Sequence, residues 1–164
     1  MTITTFEQLG ELYVGTLVSD AYFKGAAGTV ADAVLEALTG DTGDNTRRGC
    51  LDAAARLTRD AMGFLEHTVG LIDQDWLAGR CDWARIDQCW GQPLNAVEQR
   101  WLHEQLSEQA DRAWNTYRRY LPDGEEHNGG IHLDWIHDLA LAATFLQAAA
   151  MLVADAFNID TEAA

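Results

Sequence analysis

Lysine occurs once in this chain, at Lys24, and after Leu121 there is no basic residue of either kind. With a formal net charge of −15 over 164 residues, the surrounding field repels nucleic acid and anionic lipid and hastens encounter with basic proteins. Direct nucleic-acid binding is therefore the least favoured class. Cysteine is scarce and odd in number: Cys50, Cys81 and Cys89 include no C-x-x-C pair, which argues against a disulfide framework or a zinc ribbon and leaves reduced, partly buried thiols. The opening M-T-I-T-T-F-E-Q-L has neither the basic residues nor the apolar run of a signal peptide, so a cytoplasmic location is expected, the host cytoplasm if the chain is phage-encoded. No G-x-S-x-G, no glycine-rich phosphate loop and no cysteine with an evident histidine partner can be read off the chain, so catalytic residues are not assigned and no cofactor is expected.

What is present is a packed helical protein. Hydrophobic residues make up 48% of the chain and six are tryptophan, enough to bury a core in a single domain spanning residues 1–164. The stretch from Leu133 to Phe157 is apolar on nearly every side from Leu139 onward, interrupted only by Thr144, Gln147 and Asp155. A helix apolar all round must be surrounded by other helices, so this one is expected to be the central post of a bundle. Its apolarity comes mainly from alanine, it carries an acid on either side, and it has no flanking Lys or Arg; these features favour a core helix over a membrane span.

Apolar residues at three- and four-residue steps predict the other elements. A first helix starts at the capping box Thr4–Glu7 and stops near Gly25-Ala26-Ala27-Gly28; Thr29 then caps a short helix ended by Gly40. After a turn-rich G-D-T-G-D-N-T, Thr46 caps a long helix whose buried stripe includes Leu51, Ala54, Leu57, Ala61 and Leu65, with arginines and aspartates on its outer side as local ion pairs. A short helix near 83–90 ends at Gly91 and Pro93. The capping box Asn95–Glu98 starts another long helix through about Leu121, with Val97, Trp101, Leu106, Ala110 and Trp114 on its stripe, before the acidic loop P-D-G-E-E-H-N-G-G. No strand-like alternation and no repeat occur. The fold expected is all-α, a single-domain antiparallel bundle of about five helices with a buried C-terminal helix.

Charge is distributed unevenly. Residues 1–40 hold five acids against one lysine, 41–75 seven against four arginines, 76–121 six against six, and 122–164 eight against none. If the chain runs strictly up and down, the loops at 41–45 and 123–129 fall at one end, and Asp41, Asp44, Asp123, Glu125 and Glu126 form a joint acidic surface; a full helix inside 76–95 would reverse that parity. With Asp134 and Asp138 these are the candidate partner-binding residues. The tryptophans Trp76, Trp83 and Trp90, in an irregular segment with Arg80 and Arg85, read mainly as anchors, although Trp and Arg are also the residue types of binding hot spots.

The densest set of potential ligands is His132, Asp134, His137 and Asp138, of which Asp134, His137 and Asp138 share one helical face. A metal-dependent hydrolase or metal-binding bundle using Asp134, His137 and Asp138 is the alternative reading; the structural one gives the aspartates to the helix N-terminus and His137 to a buried hydrogen bond. The pair His137-Asp138 resembles the His-Asp doublet of HD-domain phosphohydrolases, but too little chain follows it to complete that domain. In size and charge the chain is broadly similar to phage anti-restriction and anti-CRISPR proteins and to immunity proteins of nuclease toxins. That physical type implies an acidic, non-catalytic inhibitor that meets a basic nucleic-acid-processing partner by presenting carboxylates where that partner expects phosphates. Adaptation to a salty cytoplasm would account for the acidity without a partner.

Overall fold

The apolar C-terminal stretch forms one helix, Leu133–Phe157, and the three other long helices are arranged around it. The computed structural model describes residues 20–39, 47–72, 82–126 and 133–159, with side chains over 25–36, 47–66, 82–118 and 138–159. These contain α1 Asp20–Thr39, α2 Arg47–Ile72, α3 Trp83–Cys89, α4 Ala96–Glu126 and α5 Leu133–Phe157, and no strand occurs among the described residues. The protein is an all-α bundle with its C-terminal helix buried.

Helix α5 packs along α2, along α4 and against α1, and α1 also touches α2. Contact on three sides is what an all-round apolar helix requires. Small side chains let these neighbours close in: Ala142, Ala143, Ala148 and Ala149 have no exposed surface. Larger residues fill the remaining space, notably Leu139, Leu146 and Phe145, whose ring meets Phe64 of α2 edge-on at 5.6 Å. Thr144 is buried at no polar cost, since its hydroxyl donates to the Ala140 carbonyl oxygen at 2.8 Å. Asp138–Phe157 is long and apolar enough to cross a membrane by length and composition, yet 83% of it is buried against the other helices. Helix packing, with no lipid, already accounts for its apolarity.

Three expectations need correction. The hairpin at Gly25–Gly28 is not there: α1 runs unbroken through both glycines, and Thr29 donates its hydroxyl to the Gly25 carbonyl oxygen at 3.2 Å instead of capping a new helix. The reason is packing, because Ala27, Val30, Ala31 and Leu35 form one buried stripe that only a continuous helix presents, and Gly28 passes close to Met151 of α5. The capping box Thr4–Glu7 lies outside the described residues. Secondly, α4 does not stop at Leu121 but continues through Pro122 and Gly124 to Glu126. Proline withdraws one N–H from the ladder, and the carbonyl that loses it belongs to the exposed Arg118, where water can replace the bond. Thirdly, Val97 is 76% exposed. The buried stripe of α4 is Leu102, Leu106, Ala110, Ala113 and Tyr117, and Val97 lies five residues before its start, about 140° round the helix.

Other boundaries fall where local chemistry sets them. The Asn95–Glu98 box closes in both directions: Glu98 N–H donates to Asn95 Oδ1 at 2.9 Å and Asn95 N–H to Glu98 Oε1 at 3.0 Å. Asp82 caps α3 by accepting from the Arg85 N–H at 3.0 Å. The expected ion pairs on the outer side of α2 are present, Arg48–Asp52 at 3.1 Å and Arg56–Asp60 at 3.6 Å.

Candidate functional site

Helix directions decide which charges meet. Arg47, the first residue of α2, reaches Ala156 and Phe157 at the end of α5, and Phe64 further along α2 meets Phe145. Helices α2 and α5 are therefore antiparallel. The six residues 127–132 join α4 to α5; they reach at most about 25 Å, whereas a parallel packing would demand the ~37 Å length of α5. Helix α4 is thus also antiparallel to α5 and parallel to α2. The chain returns between residues 72 and 96, using α3 on the way.

One end of the bundle accordingly holds the last turns of α4 and the first turns of α5. Asp123, Glu125 and Glu126 stand on the former and Asp134 and Asp138 on the latter, with no base anywhere from residue 122 to 164. Five of the seven candidate residues are gathered by the fold at this end. Asp138 is half-buried and the exposed Glu66 is on the α2 segment running toward the same end. Asp41 and Asp44 lie outside the described residues, and Arg47, three residues after Asp44, is at the opposite end. Helices α2 and α4 therefore run parallel rather than strictly up and down.

Placement on α4 carries its own information. The macrodipole puts partial negative charge at a helix C-terminus, where a carboxylate is disfavoured by ~0.3–1 kcal/mol. Helix α4 nonetheless ends D-G-E-E with no base in its last turn. Those acids do not serve the stability of the helix that bears them.

Toward the other end lie six of the ten arginines. Arg47 and Arg48 open α2, Arg56 and Arg59 follow within its first half, Arg85 is on α3 and Arg100 near the start of α4. Helix α3 ties the two parallel helices together: Asp87 accepts from Arg59 Nε of α2 at 3.4 Å, and the Arg85 guanidinium stacks 3.9 Å from the Trp101 ring centroid of α4. Between α2 and α3 lies an open groove of about 510 Å³ walled by Arg48, Arg56, Arg59, Asp52, Asp87 and Trp90. Trp90 is 6% exposed and its indole Nε1 is buried with no hydrogen-bond partner, a donor left unmade at a cost of about 1–3 kcal/mol. From sequence these arginines read only as outer dressing of α2. The signal for a shared site was their spacing, since Arg48, Asp52, Arg56 and Arg59 recur at helical steps on one side.

Burial shifts two titratable groups, Cys89 and His103. Burial raises the Cys89 thiol, with Arg85 opposing and Glu98 adding, and the thiol donates to the Arg85 carbonyl oxygen at 3.2 Å. Cys50 is also buried and outside any disulfide. Burial lowers His103, against a smaller upward pull from Glu104. No group of three His, Cys, Asp or Glu side chains suited to a metal occurs among the described residues. The side chains of Asp134 and His137 are not among them; their backbone is helical, which places Asp134, His137 and Asp138 on one helical face.

Neither protein-family models, nor curated proteins, nor solved structures give a match to this chain. Function is argued from charge and geometry.

Proposed function

We propose that the protein is a non-catalytic binding protein whose acidic end engages a basic surface on a nucleic-acid-processing partner and so inhibits it. The reading is carried by the meeting of Asp123, Glu125 and Glu126 at the end of α4 with Asp134 and Asp138 at the start of α5, without a lysine or arginine on either stretch. Acids placed on helices start from an ordered backbone, so pairing with arginine or lysine costs less ordering than it would for a flexible acidic tail. The stretch that carries the arginines, residues 47–119, holds ten of them against eleven acids and is nearly balanced, which leaves the acidic end to steer approach. Nucleic-acid mimicry of the anti-CRISPR, anti-restriction or nuclease-immunity kind is one form such inhibition would take.

The test is capture from a host lysate at ~50 and ~500 mM salt, where screening lengths differ severalfold. Basic nucleic-acid-binding proteins should be retained at the lower salt, and Asp123→Lys, Glu125→Lys and Glu126→Lys together should abolish their capture. Reversal at Asp41 and Asp44 tests separately whether that segment joins the interface. Undiminished capture by the triple variant sinks the acidic end as the binding surface. The helical register of Asp134, His137 and Asp138 supports one other reading, a metal-binding or hydrolytic bundle; a bound transition metal in untagged protein, lost with chelator together with stability, would put it in place of the first.

A further inference from the structure

The groove between α2 and α3 lies on the arginine-rich half of the molecule, and its chemistry differs from that of the acidic end. Of the chain's eleven bases, three line this single groove. They stand on one side of α2, with Arg48 about 16 Å along the helix axis from Arg59 and Arg56 about one turn from Arg59. Between them Ala55 leaves the floor low, and the facing wall is the end of α3 with Asp87, Trp90 and Gly91. Each guanidinium is steadied by one carboxylate, Arg48 by Asp52, Arg56 by Asp60 and Arg59 by Asp87, and the contact in each runs from Nε to one oxygen. A guanidinium has five N–H donors, more than one such contact uses. Pairs this exposed add little to folding stability, so stability alone does not account for three of them around one depression. Trp90 stands in the same wall, with its indole N–H buried and without a partner. The groove has donors in excess and its size is that of a small-molecule site.

We propose that the α2–α3 groove binds a small, elongated oxyanion, a polyphosphate or polycarboxylate, clasped by Arg56 and Arg59 at one end and by Arg48 at the other. Asp52, Asp60 and Asp87 hold the guanidiniums in place, and Asp87 also limits affinity, because it faces the ligand with like charge. Planar guanidinium forks suit oxyanion recognition, which is why arginine serves here where the chain's single lysine would not. The inference does not depend on the acidic end, and the two can fail separately.

Calorimetric titration of the full chain with sodium tripolyphosphate, citrate and inorganic phosphate, at ~150 mM salt to screen the overall negative field, tests it. Saturable one-to-one binding is expected for tripolyphosphate or citrate and at least tenfold weaker binding for phosphate, which spans only one end. Arg56→Gln and Arg59→Gln should each weaken binding about tenfold, the loss of one charged hydrogen-bonding partner. Asp87→Asn should strengthen it severalfold, an effect that a purely structural ion pair would not produce. Arg118→Gln, on α4 beside Trp114 and outside the groove, should leave it unchanged. The indole N–H resonance of Trp90 should shift during the titration. Absence of saturable binding by both elongated anions up to ~10 mM, far weaker than a clasp of three charged donors should give, overturns the proposal. Equal binding by an Arg48→Gln, Arg56→Gln, Arg59→Gln triple variant overturns it as well.

Discussion

Arg47 opens α2 and closes α5: its Nε donates to the Ala156 carbonyl oxygen at 3.1 Å, 109 residues further along the chain, and its guanidinium lies 5.4 Å from the Phe157 ring centroid. The last carbonyls of a helix have no partner within it, and α5 has no base of its own in its last turn. A neighbouring helix supplies the cap. Asn158, with φ of 53°, then turns the chain in the left-handed region and lets the Ile159 N–H reach the Ala154 carbonyl oxygen at 2.9 Å. Arg47→Ala should therefore cost about 1 kcal/mol in urea unfolding, from the lost cap and the lost contact over the ring. Arg47→Lys, which keeps the charge but not the planar group, should fall between. A variant as stable as the parent would show that solvent caps α5 equally well.

The unbroken α1 leads to a prediction opposite to the one its glycines suggest. A Cβ added at Gly25 meets nothing within 4 Å, and one added at Gly28 meets Met151 Cε at 3.6 Å, ordinary van der Waals contact. Both sites are helical. Gly25→Ala and Gly28→Ala should each stabilise the protein by about 0.5–1 kcal/mol, through the reduced freedom of the unfolded chain and better helix propensity. A real turn at 25–28 would make the same changes destabilising, so the sign of the shift in unfolding midpoint separates the two structures.

Why some features could be read from the chain and others could not follows from the range of the interactions that set them. The Asn95–Glu98 box and the α2 ion pairs are contacts between residues three or four apart, and each is where residue chemistry places it. The burial of α5 was legible because no other environment suits a helix apolar on every side. Continuity through Gly25 and Gly28 was not, because it depends on α5 pressing on α1 from far along the chain. Val97 misled for a different reason: apolar character alone assigned it to a stripe whose phase is set by Leu102 and Leu106. The acidic segments could be recognised as acidic, but which of them meet depends on the direction of α4, and that was fixed by the crossover between residues 72 and 96. The groove of Arg48, Arg56 and Arg59 exists only because α3 supplies its second wall.

Gln109 is 1% exposed on α4, and its Oε1 has no hydrogen-bond partner. Thr58 and Thr144, buried to the same degree, each donate to the carbonyl four residues back at 2.8 Å. Gln109 thus leaves an acceptor unsatisfied where its polar neighbours leave none. Replacement by an apolar side chain of similar volume removes the desolvation penalty and keeps the packing, so Gln109→Met should raise stability by about 1 kcal/mol. Gln109→Ala should lower it, because the vacated volume is not refilled. If Met destabilises as much as Ala, the amide is satisfied in solution and the packing argument fails.

His103 ties stability to pH with a definite sign. Its pKa lies below 6.5 because burial penalises the imidazolium, and the neighbouring Glu104 offsets only part of that. The unfolded chain therefore takes up a proton at a higher pH than the folded protein does. Stability from this group is complete above pH ~6.5 and is lost as the pH falls from there through the folded pKa. Acidification also relieves repulsion among the carboxylates, which acts in the opposite direction, so the parent's own pH profile will not isolate the histidine. Comparison with His103→Gln removes the common part. The variant should gain stability relative to the parent between about pH 7.5 and pH 5, and parallel profiles would mean that the imidazole is as well solvated in the folded protein as in the unfolded chain.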